Sequence, residues 1–335
     1  MKIALIYPGH QFSTYDVAEG HDKGLRELGH DVRSVRYDNA YGFYAESLQH
    51  WELLHPGWQY TADTAFAMAS ERTAIEVIDW GPDVALIVSA TEYHKNAFSL
   101  MHKANIPIVA MFTESPYGDD LHNKVMAQTV LRGAFTNEKT TVKSLSDKGK
   151  IPVAYLPHSY QPDKHKSAVV ENGHSTDVFF FGTLFPERLA SFSILSESLR
   201  GMRYKFDGPA PNQKGVSPLL TLPNEELVKY YNGTKIALNM HRASDTAWSL
   251  GPRAYEIAAC GAFQISDNRG ELHELFNGSV PSYTNDEELA EVVRHYLSHP
   301  DERMEKAKAA HERVKDCTFR QRDAEIVVPF LEEVL

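Results

Sequence analysis

Arg253 and Glu256 lie three residues apart in GPRAYEIAACGAFQISD, residues 251–267, a short and mostly apolar stretch that reads as a helix feeding a strand. Pro252 suits the first helical position, where a missing N–H costs no hydrogen bond. Gly261 suits the left-handed residue that ends a helix. Side chains three apart share one helix face. A cation in the first turn opposes the helix dipole by a few tenths to about 1 kcal/mol, which argues for an anion beside a helix end that already attracts one. The plainer reading is an ion pair between the two on a surface.

Other polar side chains fall at the ends of apolar runs, where crevice ligands of α/β proteins sit. FFFGTLFPER ends a strand with Gly182 and Thr183 and reaches Arg188 in the next helix. An arginine fork matches phosphate bidentately; an ordinary turn and a surface arginine are the alternative. NMHRASD places His241 and Arg242 after a strand, a cationic pair suited to phosphate or sugar hydroxyls, or a satisfied loop histidine. YPGHQFSTYD follows the first strand; His10 is a candidate base oriented by Asp16. One of 16 histidines falling there is also unsurprising. MFTESPYGDD brings Glu114 and Tyr117 to a strand end, with Ser115 before Pro116 equally suited to capping a helix. His158 in YLPHSY lies at a domain junction, touching ligand or packing a hinge, and Asn137 and Glu138 are similarly placed.

The elements that position these residues alternate. KIALIYP is a continuous apolar strand ended by Pro8 and Gly9, followed by a helix in DVAEGHDKGLRELGH with Gly29 as its stop. DVRSVRYD alternates as a second strand, residues 62–79 read as helix, and PDVALIVSA, IPIVAMFTES, GAFTNE and PVAYLPHS read as further strands. YQPDKHKSAVVENGHSTD is polar and reads as a linker or surface loop. The pattern then restarts from DVFFFGT through AFQIS and closes with helices in NDEELAEVVRHYLSHPDERMEKAKAAHERVKD. Apolar strands separated by helices imply parallel sheets covered on both faces. Two doubly wound domains normally hold a ligand in the crevice between them.

The segment Asn239–Arg320 resembles the C-terminal half of the GT-B glycosyltransferases, specifically the CgeB-like spore-maturation group. The resemblance is carried by the R-x-x-E helix, the A-C-G-A turn and strand of PRAYEIAACGAFQIS, the helix EELAEVVRHYLSHPDER and the closing TFRQR. It implies two Rossmann-like, doubly wound parallel-sheet domains facing a central cleft. Residues 1–160 form the acceptor-side domain, 161–315 the nucleotide-sugar-binding domain, and 316–335 a closing helix that packs back on the first. In the family the second glutamate of an E-x7-E motif contacts the donor ribose; Glu256 matches it, and a carboxylate accepts from two hydroxyls at once. The first glutamate is replaced by Trp248. The resemblance further implies donor contacts from Gly182, Thr183, Arg188, His241, Arg242 and Arg253, with Arg253 near the diphosphate or holding the loop SDTAWSLG. Acceptor contacts fall to Ser13, Tyr117 and His158, and His10 or Glu114 is the catalytic base if the reaction inverts.

The 335 residues suit two domains, and 42% hydrophobic with 24% charged content is that of a globular protein. A net charge of −11 opposes nucleic acid and anionic membrane as partners, unless a local basic groove overcomes it. Two cysteines, Cys260 and Cys317, give neither a disulfide framework nor a zinc pattern. No apolar run reaches the ~18 residues of a membrane span, and MKIALIYPGH reads as a strand rather than a leader, so a cytoplasmic protein is expected. There is no D-x-D, G-x-G-x-x-G, P-loop or H-E-x-x-H. The expected activity is metal-independent transfer of a sugar from a nucleotide-diphosphate sugar to an acceptor hydroxyl of a glycan, small molecule, protein or modified base, with no permanently bound cofactor. A DNA-base glycosyltransferase, a sugar-nucleotide epimerase and a non-catalytic nucleotide-sugar-binding protein are the alternatives.

Overall fold

The computed structural model describes residues 1–8, 13–113, 121–128, 130–170, 172–209, 222–242 and 248–335. Contacts divide the chain into two units, residues 1–157 with 319–335, and residues 158–318.

Among the described residues of the first unit six parallel strands are ordered β2-β1-β3-β4-β5-β6. They are β1 (Lys2–Ile6), β2 (Asp31–Val35), β3 (Val84–Val88), β4 (Ile108–Phe112), β5 (Leu131–Thr136) and β6 (Val153–Tyr155). Every residue of β3 and β4 is buried, as a strand covered on both faces requires. Alternate side chains divide between two cores. Ala4, Ile6, Ala85, Ile87, Ile108 and Ala110 pack under α2 (Tyr37–Leu54), α3 (Ala62–Trp80) and α4 (Lys95–Lys103). Ile3, Leu5, Leu86 and Val109 pack under α1 (Ser13–Glu27) and under Val327, Phe330 and Leu331 from the end of the chain. Helix α2 has no counterpart in the sequence reading, because its apolar residues do not keep to one face. The first unit also holds the short helices α5 (Leu121–Met126) and α6 (Val142–Gly149).

Among the described residues the second unit has five parallel strands ordered β11-β10-β9-β7-β8. These are β7 (Thr176–Phe181), β8 (Tyr204–Asp207), β9 (Thr234–Asn239), β10 (Gln264–Asp267) and β11 (Ser282–Tyr283). The chain runs outward from β7 to β8, then returns across β7 to β9. The strand order therefore reverses between β7 and β9, and the carboxyl ends of these two strands are the switch point where open α/β sheets bind ligands. Helices α7 (Pro186–Ser198) and α11 (Asp286–Ser298) supply Phe192, Leu195, Leu289 and Val293 to one core. Helices α8 (Asn224–Gly233) and α9 (Pro252–Ala259) supply Val228, Tyr231 and Ile257 to another. Helices α10 (Gly270–Phe276) and α12 (Pro300–Val314) complete the unit beside α9.

Candidate donor site in the second unit

Helix α9 is the element that carries the charged pair, and its ends are as its sequence requires. Pro252 opens it, and Gly261 follows it with φ +72°. Its start is fixed by His241. The N–H of Gly251, the residue before the helix, donates to His241 Nε2 at 2.7 Å. His241 Nδ1 lies 2.7 Å from Asp267 Oδ1, and the His241 N–H donates to the same oxygen at 3.0 Å. Because Nε2 accepts, the ring is neutral with its proton on Nδ1, aimed at the carboxylate. Burial pushes the His241 ring below its ordinary value, in agreement. Burial alone would raise Asp267; the His241 ring and the Arg269 guanidinium hold it below the usual carboxylate range. Arg269 Nε donates to Asp267 Oδ2 at 2.8 Å, and its Nη2 to the Arg242 carbonyl at 3.2 Å. One carboxylate at the end of β10 thus ties the end of β9 to the start of α9.

Arg253 reaches across the switch point. A Cβ added to Gly182, just past β7, would stand 2.5 Å from Arg253 Nη2. Only a glycine lets the guanidinium lie against that backbone. The guanidinium also sits over the Phe180 ring, 5.1 Å from its centroid. Gly208, just past β8, repeats the device: a Cβ there would meet the Gly182 carbonyl oxygen at 2.1 Å. The ends of β7 and β8 thus pack backbone against backbone, with the Arg253 guanidinium over Gly182, a closeness that only glycines allow.

Glu256 lies one turn further along α9, with 14% of its side chain exposed. Burial pushes its carboxyl up to about 7, against the opposing pull of Arg253 and Lys164. His165, 2% exposed, faces it with Nε2 3.9 Å from Glu256 Oε1. The Cys260 thiol, one turn beyond, is pushed up to about 12 by burial and by Glu256.

Arg188 is buried and employed on backbone. Its Nη1 donates to the Thr183 carbonyl at 2.7 Å and its Nη2 to the Met240 carbonyl at 2.6 Å, joining the ends of β7 and β9. Arg188 and Arg242 each lie over the Phe185 ring, at 5.1 and 5.0 Å. The loop entering α9 is held by Glu271: the Leu250 N–H donates to its Oε2 at 2.5 Å, and the Tyr255 hydroxyl donates to its Oε1. The Trp248 indole packs on Gly270, where a Cβ would meet its Cδ1 and Nε1 at 2.1 Å.

Of the residues singled out in the sequence, Gly182, Thr183, Arg188, His241, Arg242, Arg253 and Glu256 come together in one unit, around the ends of β7 and β9. His158 is buried at the beginning of that unit. Glu138 caps a short turn after β5, accepting from the Thr140 N–H at 3.3 Å. His10, Glu114 and Tyr117 lie outside the described residues, and Ser13 is described only as the first residue of α1. His165, Asp267, Arg269 and Glu271 were not anticipated. Asp267 was within reach of the rule used for His241, since both end strands of one parallel sheet. Among the described residues no three His, Cys, Asp or Glu side chains gather as a metal site requires. No helix among them is long and apolar enough to cross a membrane.

Comparison with known proteins agrees with this architecture. Residues 187–327 match the family model described as "Glycosyl transferase-like". The chain is 25% identical over 266 residues to spore protein CgeB of Bacillus subtilis strain 168, covering 73% of this chain and 82% of that one. The E. coli trehalose-6-phosphate structure bound with UDP-2-fluoro glucose superposes with a TM-score of 0.67 at 11% identity, over 100% of both chains. The chain carries the GT-B glycosyltransferase fold. Anabaena Alr3699/HepE in complex with UDP-glucose matches with a TM-score of 0.61 at 12% identity, over 98% of this chain and 100% of that one. Both sheets, each flanked by helices, are the Rossmann-like halves that fold requires, and the resemblance to the CgeB-like group extends over most of the chain.

Proposed function

We propose that this protein is a glycosyltransferase whose second unit binds a nucleotide-diphosphate sugar, without a metal ion, for transfer of the sugar to an acceptor hydroxyl. The observation that carries the reading is Arg253 laid against the Gly182 backbone at the switch point, with the Glu256 carboxylate one turn behind it on the same helix. An arginine there meets the diphosphate, and the departing diphosphate's charge is met by the guanidinium and the α9 N-terminus. Ionised Glu256 accepts from the two ribose hydroxyls. Arg188 and His241 act by holding strand ends and helix start in register rather than by reaching the ligand with free donors. The acceptor falls to the first unit, with His10, Ser13, Glu114 and Tyr117 as its candidate contacts.

Solved proteins of this fold bound with UDP-glucose or UDP-2-fluoro glucose support the choice of ligand class. Trp248 supports a second reading. Where the family motif has its first carboxylate, this chain packs an indole on Gly270, so a sugar hydroxyl loses a charged acceptor. A protein that binds nucleotide sugar without transferring it follows from that loss.

Thermal melting with UDP, GDP, ADP, dTDP and CDP, with and without EDTA, tests the reading. A ligand at 100 times its Kd adds about 2.7 kcal/mol. One diphosphate is expected to raise the melting temperature regardless of EDTA, and Glu256→Ala to abolish the rise. No shift from any of the five contradicts the proposal. Binding of a nucleotide sugar without its consumption across an acceptor panel selects the second reading.

A further inference from the structure

We propose that His165 is a positioning residue for the donor carboxylate, its Nε2–H holding Glu256 ionised and turned toward the hydroxyls it accepts. The inference rests on the donor-site reading above and adds to it a group from outside the helix.

His165 belongs to PDKHK, a polar segment without strand or helix. Its turn closes in two directions. The His165 N–H donates to the Gln161 carbonyl at 2.8 Å, and the Gln161 N–H donates to His165 Nδ1 at 3.2 Å. A backbone N–H aimed at Nδ1 makes that atom an acceptor, so the neutral ring carries its proton on Nε2. Nε2 is the atom 3.9 Å from Glu256 Oε1. That distance is longer than a hydrogen bond, yet an N–H dipole aimed at a sheltered carboxylate favours its charged form, and seating a ligand on the carboxylate can close the gap. The turn thus fixes the tautomer, and the tautomer fixes what Glu256 faces.

The balance at Glu256 is close. Arg253 on its own helix and Lys164 beside His165 favour the anion. Burial opposes it, and among the described residues the Cys260 thiol on α9 and the Tyr231 phenol on α8 also interact with it. With the carboxyl pushed up to about 7, a modest contribution decides how much anion is present near neutrality. A purely structural role, closing turn 161–165, is the competing account, and the choice of variants separates the two. Asparagine keeps a side-chain oxygen to accept the Gln161 N–H and removes the donor toward Glu256. Glutamine puts an amide N–H near the position of Nε2.

The test is calorimetric titration of UDP-, GDP-, ADP-, dTDP- and CDP-glucose into the wild type, His165→Asn, His165→Gln and Glu256→Gln, from about pH 5.5 to about 8.5. Esterified diphosphates have no ionisation in that range. Wild-type affinity for the preferred sugar nucleotide is expected to rise with pH and level off above the Glu256 midpoint. In His165→Asn the midpoint moves up by about half a unit to one unit, which is roughly 3- to 10-fold weaker binding near pH 7, converging on wild type at high pH. His165→Gln stays within about twofold of wild type at each pH, because it retains the N–H. Glu256→Gln loses the pH dependence. An unchanged midpoint in His165→Asn overturns the inference and leaves the donor site standing, whether affinity is unaltered or lowered equally at every pH. If none of the five binds the wild type, the donor-site reading itself fails, and the inference falls with it.

Discussion

At the scale of single residues the proposed donor site combines one glycine, one arginine and one glutamate under constraints that can be measured. Gly182→Ala puts a methyl carbon where the Arg253 guanidinium lies. The guanidinium is the far end of a flexible side chain and can shift, but Gly182 lies at φ +158°, where an L side chain is strained, so a lower melting temperature is expected together with a roughly tenfold fall in affinity for the nucleoside diphosphate, the weight of one charge-assisted contact. Glu256 predicts a pH-dependent stability. Its carboxyl is raised from 4.5 to about 7, so the stability gained by keeping it neutral is present below 4.5 and lost as pH rises through about 7. Denaturant melts should find Glu256→Gln equal to wild type near pH 5 and more stable near pH 8, by at most about 3 kcal/mol. In the ligand-free protein burial thus favours the neutral carboxyl, against Arg253 and Lys164, which favour the ionised one. Asp267 has the opposite sign. Held below the carboxylate range by His241 and Arg269 against burial, it contributes stability above that range and loses it in acid. Asp267→Asn should lower stability at neutral pH by about 3 kcal/mol and flatten the acid limb of the curve. Arg253 and Glu256 were legible because the ends of their helix are written in Pro252 and Gly261. His165 was not, since its neighbours carry no period and only the folded turn brings it to Glu256.

The elements differ in how clearly their sequences announce them. Strands β3 and β4 are continuous apolar runs, and both formed as read. Helix α2 was missed because its apolar residues do not keep to one face. Tyr37 and Ala40 are buried, while Phe43, Trp51, Leu53 and Leu54 are exposed, which blurs the 3.6-residue stripe. Helix α1 was recognised, but the purpose of its interior glycines was not. Gly20 and Gly24, four apart, open a slot for the chain terminus. A Cβ on Gly20 would strike the Phe319 ring at 2.3 Å, and one on Gly24 would meet Asp323 Oδ2 at 2.2 Å. Between them His21 Nδ1 meets Asp323 Oδ1 at 2.6 Å, both side chains buried. Two glycines in a helix cost roughly 1 kcal/mol each against alanine, an expense the packed terminus explains. Gly24→Ala is expected to destabilise the first unit by about 1–3 kcal/mol in denaturant melts through overpacking, and to leave nucleotide affinity unchanged.

Over the whole molecule the chain builds two sheets, and its last residues complete the first of them. Val327, Phe330 and Leu331 cover one face of the sheet whose first strand begins at Lys2. Phe330→Ala should therefore lower the stability of the first unit by about 3 kcal/mol and speed amide exchange in β1 and β5, with exchange in β7 and β9 unaffected. Exchange in both units alike would contradict the division of the chain into independent cores. The alternation of strand and helix made two doubly wound domains readable, and the likeness to GT-B structures over the full chain agrees. What alternation leaves unwritten is strand order. The placing of β9 beside β7 makes the ends of those two strands the switch point, and it makes an Arg-x-x-Glu spacing a candidate site. The central claim is that a nucleotide sugar seats there, and amide hydrogen exchange with saturating UDP-, GDP-, ADP-, dTDP- or CDP-glucose tests it most directly. Protection by one of them at Gly182–Leu184 and along Gly251–Ile257, absent in Glu256→Ala, is the predicted result; protection confined to the first unit, or none with any of the five, would contradict it.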